Sequence, residues 1–98
     1  SSEFRLLHPT LTDRVRLGIM ALLAAEKEVV SFTDLQQRLE LTKGNLSSHL
    51  RKLEDAGFIE VSKEFVDRKP LTTYRCSATG RDEMKRYLSI VERMLKEG

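Results

Sequence analysis

One segment of the chain, LTKGNLSSHLRKLEDAGFIEV at residues 41–61, constrains the fold more than any other. Its leucines recur at the 4–3 spacing that lines one face of an α-helix: Leu46, Leu50 and Leu53. Residues 43–52 include three basic side chains but no acidic one, although solvated helix faces usually mix both charge signs. The pattern predicts a helix whose apolar side grips its own domain while its other side meets an anionic partner.

The boundaries of this helix follow from the residues beside it. Thr42 is expected to cap a helix over residues 43–56, and Gly57 is placed to end it in the left-handed conformation. A shorter helix with one apolar face is predicted just before it, over residues 33–40, with Thr33 as its cap in a capping-box spacing. Two helices joined by so short a link have the order of a helix-turn-helix.

The other predicted elements surround these two helices. They are a first helix over 12–26, a short β-branched strand over 28–32, two hairpin strands over 58–64 and 72–77, and a last helix over 79–96. Thr10 or Thr12 is expected to cap the first helix and Thr79 the last. Residues 65–71 are predicted to form the loop of the hairpin, with strand pairing ending before Pro70 because proline has no backbone donor.

The length and composition fit one globular domain. The chain has 98 residues, of which 40% are hydrophobic and 33% charged, and its formal net charge is +2. We therefore expect a single domain over residues 1–98, mainly α with a small β-hairpin, whose core spans 12–78. No apolar stretch approaches the length of a membrane span, and the lone Cys76 fits a reducing, cytoplasmic location, so no membrane partner is expected.

Two runs of the sequence together carry a family resemblance. The segment at 41–61, followed by DRKPLTTYRCSATGRDEM at 67–84, resembles the winged helix-turn-helix transcriptional regulators, nearest to the short single-domain MarR-like or ArsR-like kind. The resemblance extends over residues 12–96 and implies an α-β-α-α-β-β-α winged helix-turn-helix fold. It also implies that the hairpin loop, or wing, lies along the DNA backbone, with an arginine near its tip entering the minor groove.

The exposed side of the predicted helix 43–56 is small, hydrogen-bonding and basic, as a helix that enters the major groove requires. Asparagine pairs with adenine, and arginine or lysine with guanine, so we predict these major-groove contacts: Thr42, Lys43, Gly44, Asn45, Ser47, Ser48 and Arg51. The residues predicted to contact the DNA backbone, including those of the wing, are His49, Lys52, Lys63, Arg68 and Lys69. The alternatives are an ordinary solvated face for the helix and a flexible charged loop for the wing, since Glu64 and Asp67 dilute its charge.

The last helix, over 79–96, has a coiled-coil-like seam with 4–3–4 spacing, which marks it as a dimerisation helix. The residues predicted to form a dimer interface are Met84, Tyr87, Leu88, Val91, Met94 and Leu95. A dimer is favoured because two copies read two half-sites, and because the first helix is apolar nearly all round. The N-terminal candidates to join this interface are Phe4, Leu6, Leu7 and Leu11; alternatively, the seam packs only on its own core.

These features predict a homodimeric, sequence-specific regulator of transcription that binds double-stranded DNA, more specifically a repressor. The alternative is the same fold used as a protein–protein interaction module. We expect no enzyme, cofactor or metal, because Ser48 and His49 point apart on a helix, no glycine-rich phosphate loop occurs, and two histidines with one thiol do not form a zinc set. A small-molecule effector in a cleft between the first and last helices is a further candidate partner.

Overall fold

The computed structural model describes residues 2–97, and this part of the chain contains four α-helices and a three-stranded antiparallel sheet. The helices are α1 (Arg14–Ala25), α2 (Phe32–Leu39), α3 (Lys43–Asp55) and α4 (Ala78–Glu97). The strands are β1 (Val30–Ser31), β2 (Ile59–Val66) and β3 (Lys69–Cys76), and two 3-10 segments, Ser2–Leu6 and Pro9–Leu11, precede α1. This order confirms the predicted α-β-α-α-β-β-α winged helix-turn-helix fold.

The helix-turn-helix pair α2–α3 forms from local signals in the sequence. Thr42 caps α3 as predicted, since its Oγ1 accepts a hydrogen bond from the Asn45 backbone N–H at 3.2 Å. Gly57 follows α3 with a φ of 77°, the left-handed conformation predicted for this helix end. The turn between the helices contains no glycine, and Glu40 takes the left-handed conformation there with a φ of 52°.

The cap of α1 differs from the prediction. Asp13 caps the helix instead of Thr10 or Thr12, because its Oδ1 accepts hydrogen bonds from the backbone N–H groups of Val15 at 2.9 Å and Arg16 at 3.1 Å. Thr12 instead ends the 3-10 segment that precedes the helix. A carboxylate also interacts favourably with the positive end of the helix dipole, which explains why Asp13 takes this position.

The threonines predicted to cap α2 and α4 lie inside the first turn of those helices. Ser31 caps α2 instead of Thr33, and Ser77 caps α4 instead of Thr79. Each serine Oγ accepts a hydrogen bond from the backbone N–H three residues later, at 3.1 Å for Ser31 and 2.9 Å for Ser77. Both serines lie at the end of a strand, and the extended backbone of a strand end is the conformation that an N-cap residue needs.

The wing is a tight hairpin, so the prediction of a loop over residues 65–71 is wrong. Only Asp67 and Arg68 form the turn, and both have left-handed φ values, 51° and 67°, as a two-residue hairpin turn requires. Pro70 lies within β3 opposite Phe65, contrary to the prediction that pairing ends before it. Hydrogen-bonded pairs alternate with non-bonded pairs, and the second pair after such a turn is non-bonded, so Pro70 forfeits no ladder hydrogen bond.

The sheet has β3 as its central strand, between β1 and β2. The strand predicted over 28–32 is shorter than expected, since only Val30 and Ser31 pair, with Tyr74 and Thr73 respectively. This short pairing ties the connection between α1 and α2 to the base of the wing.

The core lies between α1, α3 and the base of the sheet. Its members are buried apolar side chains from nearly every element: Leu11, Ile19, Met20, Leu23, Val30, Leu35, Leu46, Leu50, Leu53, Phe58, Ile59, Tyr74, Cys76 and Met84. Gly80, in the first turn of α4, packs so closely on this core that a Cβ there would overlap the carbonyl oxygen of Phe58. The position of α4 relative to the end of α3 therefore depends on this glycine.

Candidate nucleic-acid interface

The recognition helix candidate, α3, presents two chemically different sides. Leu46, Leu50 and Leu53 are at most 3% exposed and hold the helix against the core. The residues predicted to read the major groove are all exposed: Thr42, Lys43, Gly44, Asn45, Ser47, Ser48 and Arg51. The leucine stripe and the polar front that the sequence predicted are therefore both present in the folded chain.

A groove runs between α3 and the two strands of the wing. The residues that line it come from both walls and include Lys43, Ser47 and Arg51 from α3 and Val61, Lys63, Pro70, Thr72 and Tyr74 from β2 and β3. Ser47 borders both of its cavities, which have volumes of about 300 and 220 Å³. Lys63 thus shares the groove with Arg51, while Arg68 and Lys69 lie farther out, at the tip of the wing.

The front of α3 is not uniform in the direction that its side chains take. At 3.6 residues per turn, Lys43, Ser47 and Arg51 fall along one line, and this line borders the groove. Asn45 falls instead near Lys52, on the flank away from the wing. The fold thus brings Arg51 to the centre of the candidate interface and leaves Asn45 toward its margin.

The basic residues of this interface have no acidic partner. Across residues 2–97, no carboxylate lies within ion-pair distance of Lys43, Arg51, Lys52, Lys63, Arg68 or Lys69. By contrast, Arg38 on α2 forms ion pairs with Glu26 at 2.8 Å and with Asp34 at 3.5 Å. One carboxylate, that of Glu54, borders the inner end of the groove. Both walls of the groove carry cations that are not paired with a carboxylate, and such an arrangement favours binding of a polyanion.

The two faces of the wing differ in charge. Side chains alternate along a strand, and Lys63 and Thr72, which face each other in the β2–β3 register, both line the groove. Glu60 and Glu64 occupy the alternate positions of β2, so their carboxylates lie on the outer face. Glu64, which was expected to dilute the charge of the wing, therefore points away from the groove.

His49, predicted to contact the DNA backbone, lies in a small polar cluster with the start of α1. Its side chain is 15% exposed, and its Nδ1 lies 3.0 Å from Nη1 of Arg16 and 3.8 Å from Oδ1 of Asp13. Because a guanidinium group can only donate, Nδ1 is the acceptor and the ring proton lies on Nε2. In the same cluster, the hydrogen bond from the Arg16 backbone N–H lowers the pKa of Asp13.

Arg16 is a residue that sequence analysis did not single out. Its Nε donates a hydrogen bond to the carbonyl oxygen of Thr10 at 2.7 Å, while its Nη1 contacts His49, 33 residues farther along the chain. Arg16 thus joins the N-terminal segment, α1 and α3. No local pattern signals such a contact, because it exists only once α1 crosses α3.

The predicted dimer residues of α4 divide into three groups by exposure. Leu88 and Leu95 are 62% and 75% exposed, Met84 is buried, and the half-buried members are Tyr87, Val91 and Met94. Met84 packs in the hydrophobic core of its own chain, and the heptad spacing does not distinguish it from the exposed positions. The assignment of the remaining seam to a dimer interface stays a prediction.

The N-terminal 3-10 segment packs beside α4. Glu3 forms an ion pair with Arg93 at 3.6 Å, and the neighbouring Phe4 and Leu6 are exposed. Leu11, which was also a candidate for the interface, is instead fully buried in the core. The exposed apolar surface of α4 therefore has two further apolar side chains close to it.

Outside the groove, few features could support chemistry. A cavity of about 270 Å³ is lined by Val15 and Gly18 of α1 and by Leu39 and Leu41, so it borders α2 and not α4, where an effector cleft was predicted. Burial raises the pKa of the Cys76 thiol, which keeps it protonated at neutral pH. Within residues 2–97, no group of three or more His, Cys, Asp or Glu side chains could hold a metal ion. No helix in that range is both long and apolar enough to cross a membrane.

Comparison with known proteins agrees with this geometry. The profile of the winged helix DNA-binding domain matches residues 15–95. An uncharacterised protein of Methanocaldococcus jannaschii is 39% identical over 74 residues, which cover 76% of this chain and 79% of that protein.

Solved structures show the same relationship. A transcriptional regulator homologue from Pyrococcus horikoshii OT3 is 34% identical, has a TM-score of 0.88, and aligns over 99% of this chain and 97% of its own. The DNA complex of Staphylococcus aureus MepR shares the fold, with a TM-score of 0.74 at 18% identity over 90% of this chain and 74% of that one. Because the family profile and the Pyrococcus structure each cover most of its length, the chain belongs to the family of winged helix DNA-binding domains.

Proposed function

We propose that this protein is a homodimeric transcriptional regulator that binds double-stranded DNA in a sequence-specific manner, and that it acts as a repressor. The observation that carries the proposal is the exposed, acid-free front of α3, where Lys43 and Arg51 have no carboxylate partner within residues 2–97 and face the wing across a groove. A transcriptional regulator homologue as similar as the Pyrococcus protein supports the same conclusion.

In the proposed complex, α3 enters the major groove, which admits one helix. Arg51 and Lys43 contact guanine edges, while the small side chains of Gly44 and Ser47 let the helix backbone approach the bases. Asn45, on the flank, contacts either an adenine or the adjoining backbone. Base contacts of this kind specify the sequence, so the preference of the protein for one operator depends on α3.

A second set of residues holds the DNA backbone without reading its sequence. Lys52 lies on the flank of α3 away from the wing, Lys63 lies in the groove, and Arg68 and Lys69 lie at the wing tip. In the proposed complex these side chains neutralise phosphates on either side of α3. The Nε2–H of His49 is left to donate to a phosphate, because Arg16 engages Nδ1. These contacts contribute affinity that falls as the salt concentration rises.

Dimerisation is proposed to occur through α4 and the N-terminal segment. Leu88 and Leu95 leave apolar surface in water that a second copy would bury. A two-fold axis between the α4 helices of two copies would relate their two α3 helices. These would read half-sites one helical turn of DNA apart, about 34 Å, or a multiple of that spacing. Repression follows because occupying a promoter is sufficient to block it, whereas activation needs an additional contact with the transcription machinery.

Selection from a pool of random duplexes, followed by sequencing, tests this function. We expect enrichment of an inverted repeat, which reports DNA binding, sequence preference and two-fold symmetry together. Ser47→Glu places a carboxylate in front of α3 and should abolish the enrichment, while Ser89→Glu adds the same charge to α4 and is the matched control. No enrichment at low salt, together with a stable complex with another protein, would favour the interaction-module alternative.

A further inference from the structure

A polar cluster lies where α1 crosses α3, on the flank of α3 away from the wing. Arg16, near the start of α1, is at its centre. The Nε of Arg16 donates a hydrogen bond to the carbonyl oxygen of Thr10 at 2.7 Å, and its Nη1 lies 3.0 Å from Nδ1 of His49. The Oδ1 of Asp13 lies 3.8 Å from the same ring nitrogen. Two elements thus fix one guanidinium group, whose donors form a planar, rigid fork.

The contact with Arg16 determines which nitrogen of His49 carries the ring proton. A neutral imidazole has one N–H, and the hydrogen bond at one nitrogen decides where that N–H lies. A guanidinium group donates and cannot accept, so Nδ1 is the acceptor and Nε2 carries the proton. Within residues 2–97, Nε2 has no hydrogen-bond partner, and it is not among the buried polar atoms that lack one. The Nε2–H therefore reaches the surface with its hydrogen bond still to be made.

The surface around Nε2 belongs to the proposed DNA interface. Asn45, His49 and Lys52 recur at intervals of four and three residues, so they lie along one side of α3. Lys52 and Arg16 border one hollow of about 390 Å³, which Asp55 also lines. Because a carboxylate lies beside these cations, this flank attracts an anion through oriented donors more than through net charge. The direction of the His49 N–H is therefore important for holding a phosphate here.

Without the Arg16 side chain, the other charged group of the cluster would reverse the tautomer of the ring. The Asp13 carboxylate is ionised at neutral pH, because the hydrogen bond from the Arg16 backbone N–H lowers its pKa. Its Oδ1, 3.8 Å from Nδ1, can accept a hydrogen bond from an N–H at that nitrogen but cannot donate one. That contact would favour the tautomer with Nδ1–H, and Nε2 would then present a lone pair that repels a phosphate.

Resting on the proposed function, we propose that Arg16 is a positioning residue for DNA binding. By donating to Nδ1, it holds the His49 ring in the tautomer and orientation in which Nε2–H donates to a phosphate on the flank of α3 away from the wing. A hydrogen bond to an ionised oxygen is stronger than one between neutral groups, so a single oriented N–H makes a measurable contribution. Arg16 itself need not touch the DNA.

A double-mutant cycle on the duplex recovered by selection tests this dependence. Arg16→Met and His49→Ala should each weaken binding about tenfold, as expected for the loss of one hydrogen bond to a charged group. The double variant should also weaken binding about tenfold, because Arg16 acts through His49. Arg81→Met is the matched control, since Arg81 also donates to a backbone carbonyl, that of Ala24, but lies on α4. This control should bind like the wild type.

NMR of the imidazole nitrogens gives a readout that a purely structural role would not change. In the free wild type, the nitrogen chemical shifts should report a protonated Nε2 and an unprotonated Nδ1, and the Nε2 signal should move when the duplex is added. In Arg16→Met, the ring should change toward the Nδ1–H tautomer, while the amide spectrum outside the cluster keeps the wild-type pattern. If this variant unfolds, the tautomer of the wild type and its response to DNA still test the proposal.

Three results would overturn the inference. The first is additive losses in the double variant, which would show that Arg16 acts without His49. The second is a free wild type whose ring carries its proton on Nδ1, and the third is a His49→Ala variant that binds the duplex as tightly as the wild type. Each of these results leaves the proposed function intact. Failure of the wild type to bind any duplex would instead remove the proposed function, and the inference with it.

Discussion

Helices α3 and α4 carry apolar residues at the same 4–3 spacing but bury them differently. The three leucines of α3 are all covered by the core of the protomer, whereas Leu88 and Leu95 of α4 stay largely in water. The comparison shows that a 3–4 spacing predicts the apolar face of a helix but not the molecule that covers it. Which part of the molecule covers an apolar helix face is known only from the folded structure.

The uncovered surfaces of the two helices also differ in chemistry. The free side of α3 is small, polar and cationic, and in the part of the chain that the structure describes no carboxylate forms an ion pair with Lys43 or Arg51. The free side of α4 has exposed leucines beside charged residues that form ion pairs within the chain, such as Arg86 with Glu83 at 3.5 Å. The first surface is suited to a polyanion, and the second is the apolar surface that we propose a second copy of the protein covers.

The largest effect is expected for a substitution on the exposed apolar surface of α4. Leu88→Glu places a charge in the apolar seam and should convert the proposed dimer to a folded monomer. Its operator affinity should fall at least about a hundredfold, because binding of the two half-sites would no longer be linked. Sedimentation and DNA titration measure the two effects. Ser89→Glu, one residue and about 100° farther around the helix, should change neither. A Leu88→Glu protein that stays dimeric would exclude this seam as the interface.

On the α3 side, Arg51→Ala and Lys69→Ala should separate base recognition from backbone contact. Arg51→Ala should cost about 1–3 kcal/mol on the preferred operator and relax base preference at one position. Lys69→Ala should weaken all duplexes alike and reduce the slope of log affinity against log salt by about 1. Titrations on operator and mixed-sequence duplexes at several salt concentrations distinguish the two. Identical, salt-independent behaviour of both variants would contradict DNA contact by α3 and the wing.

Two glycine substitutions sharpen the distinction between stability and binding. Neither Gly44 in α3 nor Gly18 in α1 has any atom within 4 Å of an added Cβ, so alanine at either position should raise the free energy of unfolding, by up to about 0.5–1 kcal/mol. Only Gly44→Ala places its methyl group on the front of α3, so only this variant should lose DNA affinity. Urea unfolding and DNA titration measure both properties. Equal affinity of the two variants would show that the backbone of α3 does not approach the bases closely.

The smallest effect is expected for a substitution of Asp13, the N-cap residue of α1. Asp13→Asn keeps a capping side chain but removes the charge, and should lower stability at neutral pH by about 0.3–1 kcal/mol. The pKa of Asp13 is lowered from 3.8 in the folded protein, chiefly by the Arg16 backbone N–H, so its charge stabilises the fold above that value. The stabilisation is lost as the pH falls through the lowered pKa. Unfolding at pH 7 and pH 3 should therefore show a difference between wild type and variant that shrinks in acid.

Some of the features with local causes are predicted correctly from the sequence. Thr42 and Gly57 act within a few residues of their own positions, and both perform the predicted role. The sequence does not predict the turn at Asp67 and Arg68, because glycine is the usual sign of left-handed φ values and neither residue is a glycine. The same reliance on local signals leads to the wrong prediction that strand pairing ends before Pro70.

Features that depend on contact between distant elements could not be predicted. The cap at Ser77 requires β3 to end one residue earlier, and a propensity for capping does not locate that end. Arg16 meets His49 only after α1 crosses α3. Met84 and Leu88 occupy one seam in the sequence, yet the first lies in the core and the second in water, while Ile90, which is off the seam and farther along α4, is fully buried. The heptad spacing therefore does not determine which side of α4 the rest of the chain covers.

Backbone amide NMR of the protein titrated with the selected duplex tests the contrast between α3 and α4 most directly. We predict the largest chemical-shift changes at residues 42–51 and 63–69, with little change at Leu88 and Leu95, which the proposed dimer interface would already cover before DNA is added. Changes concentrated on α4 with α3 unperturbed would contradict the assignment of the cationic surface to DNA.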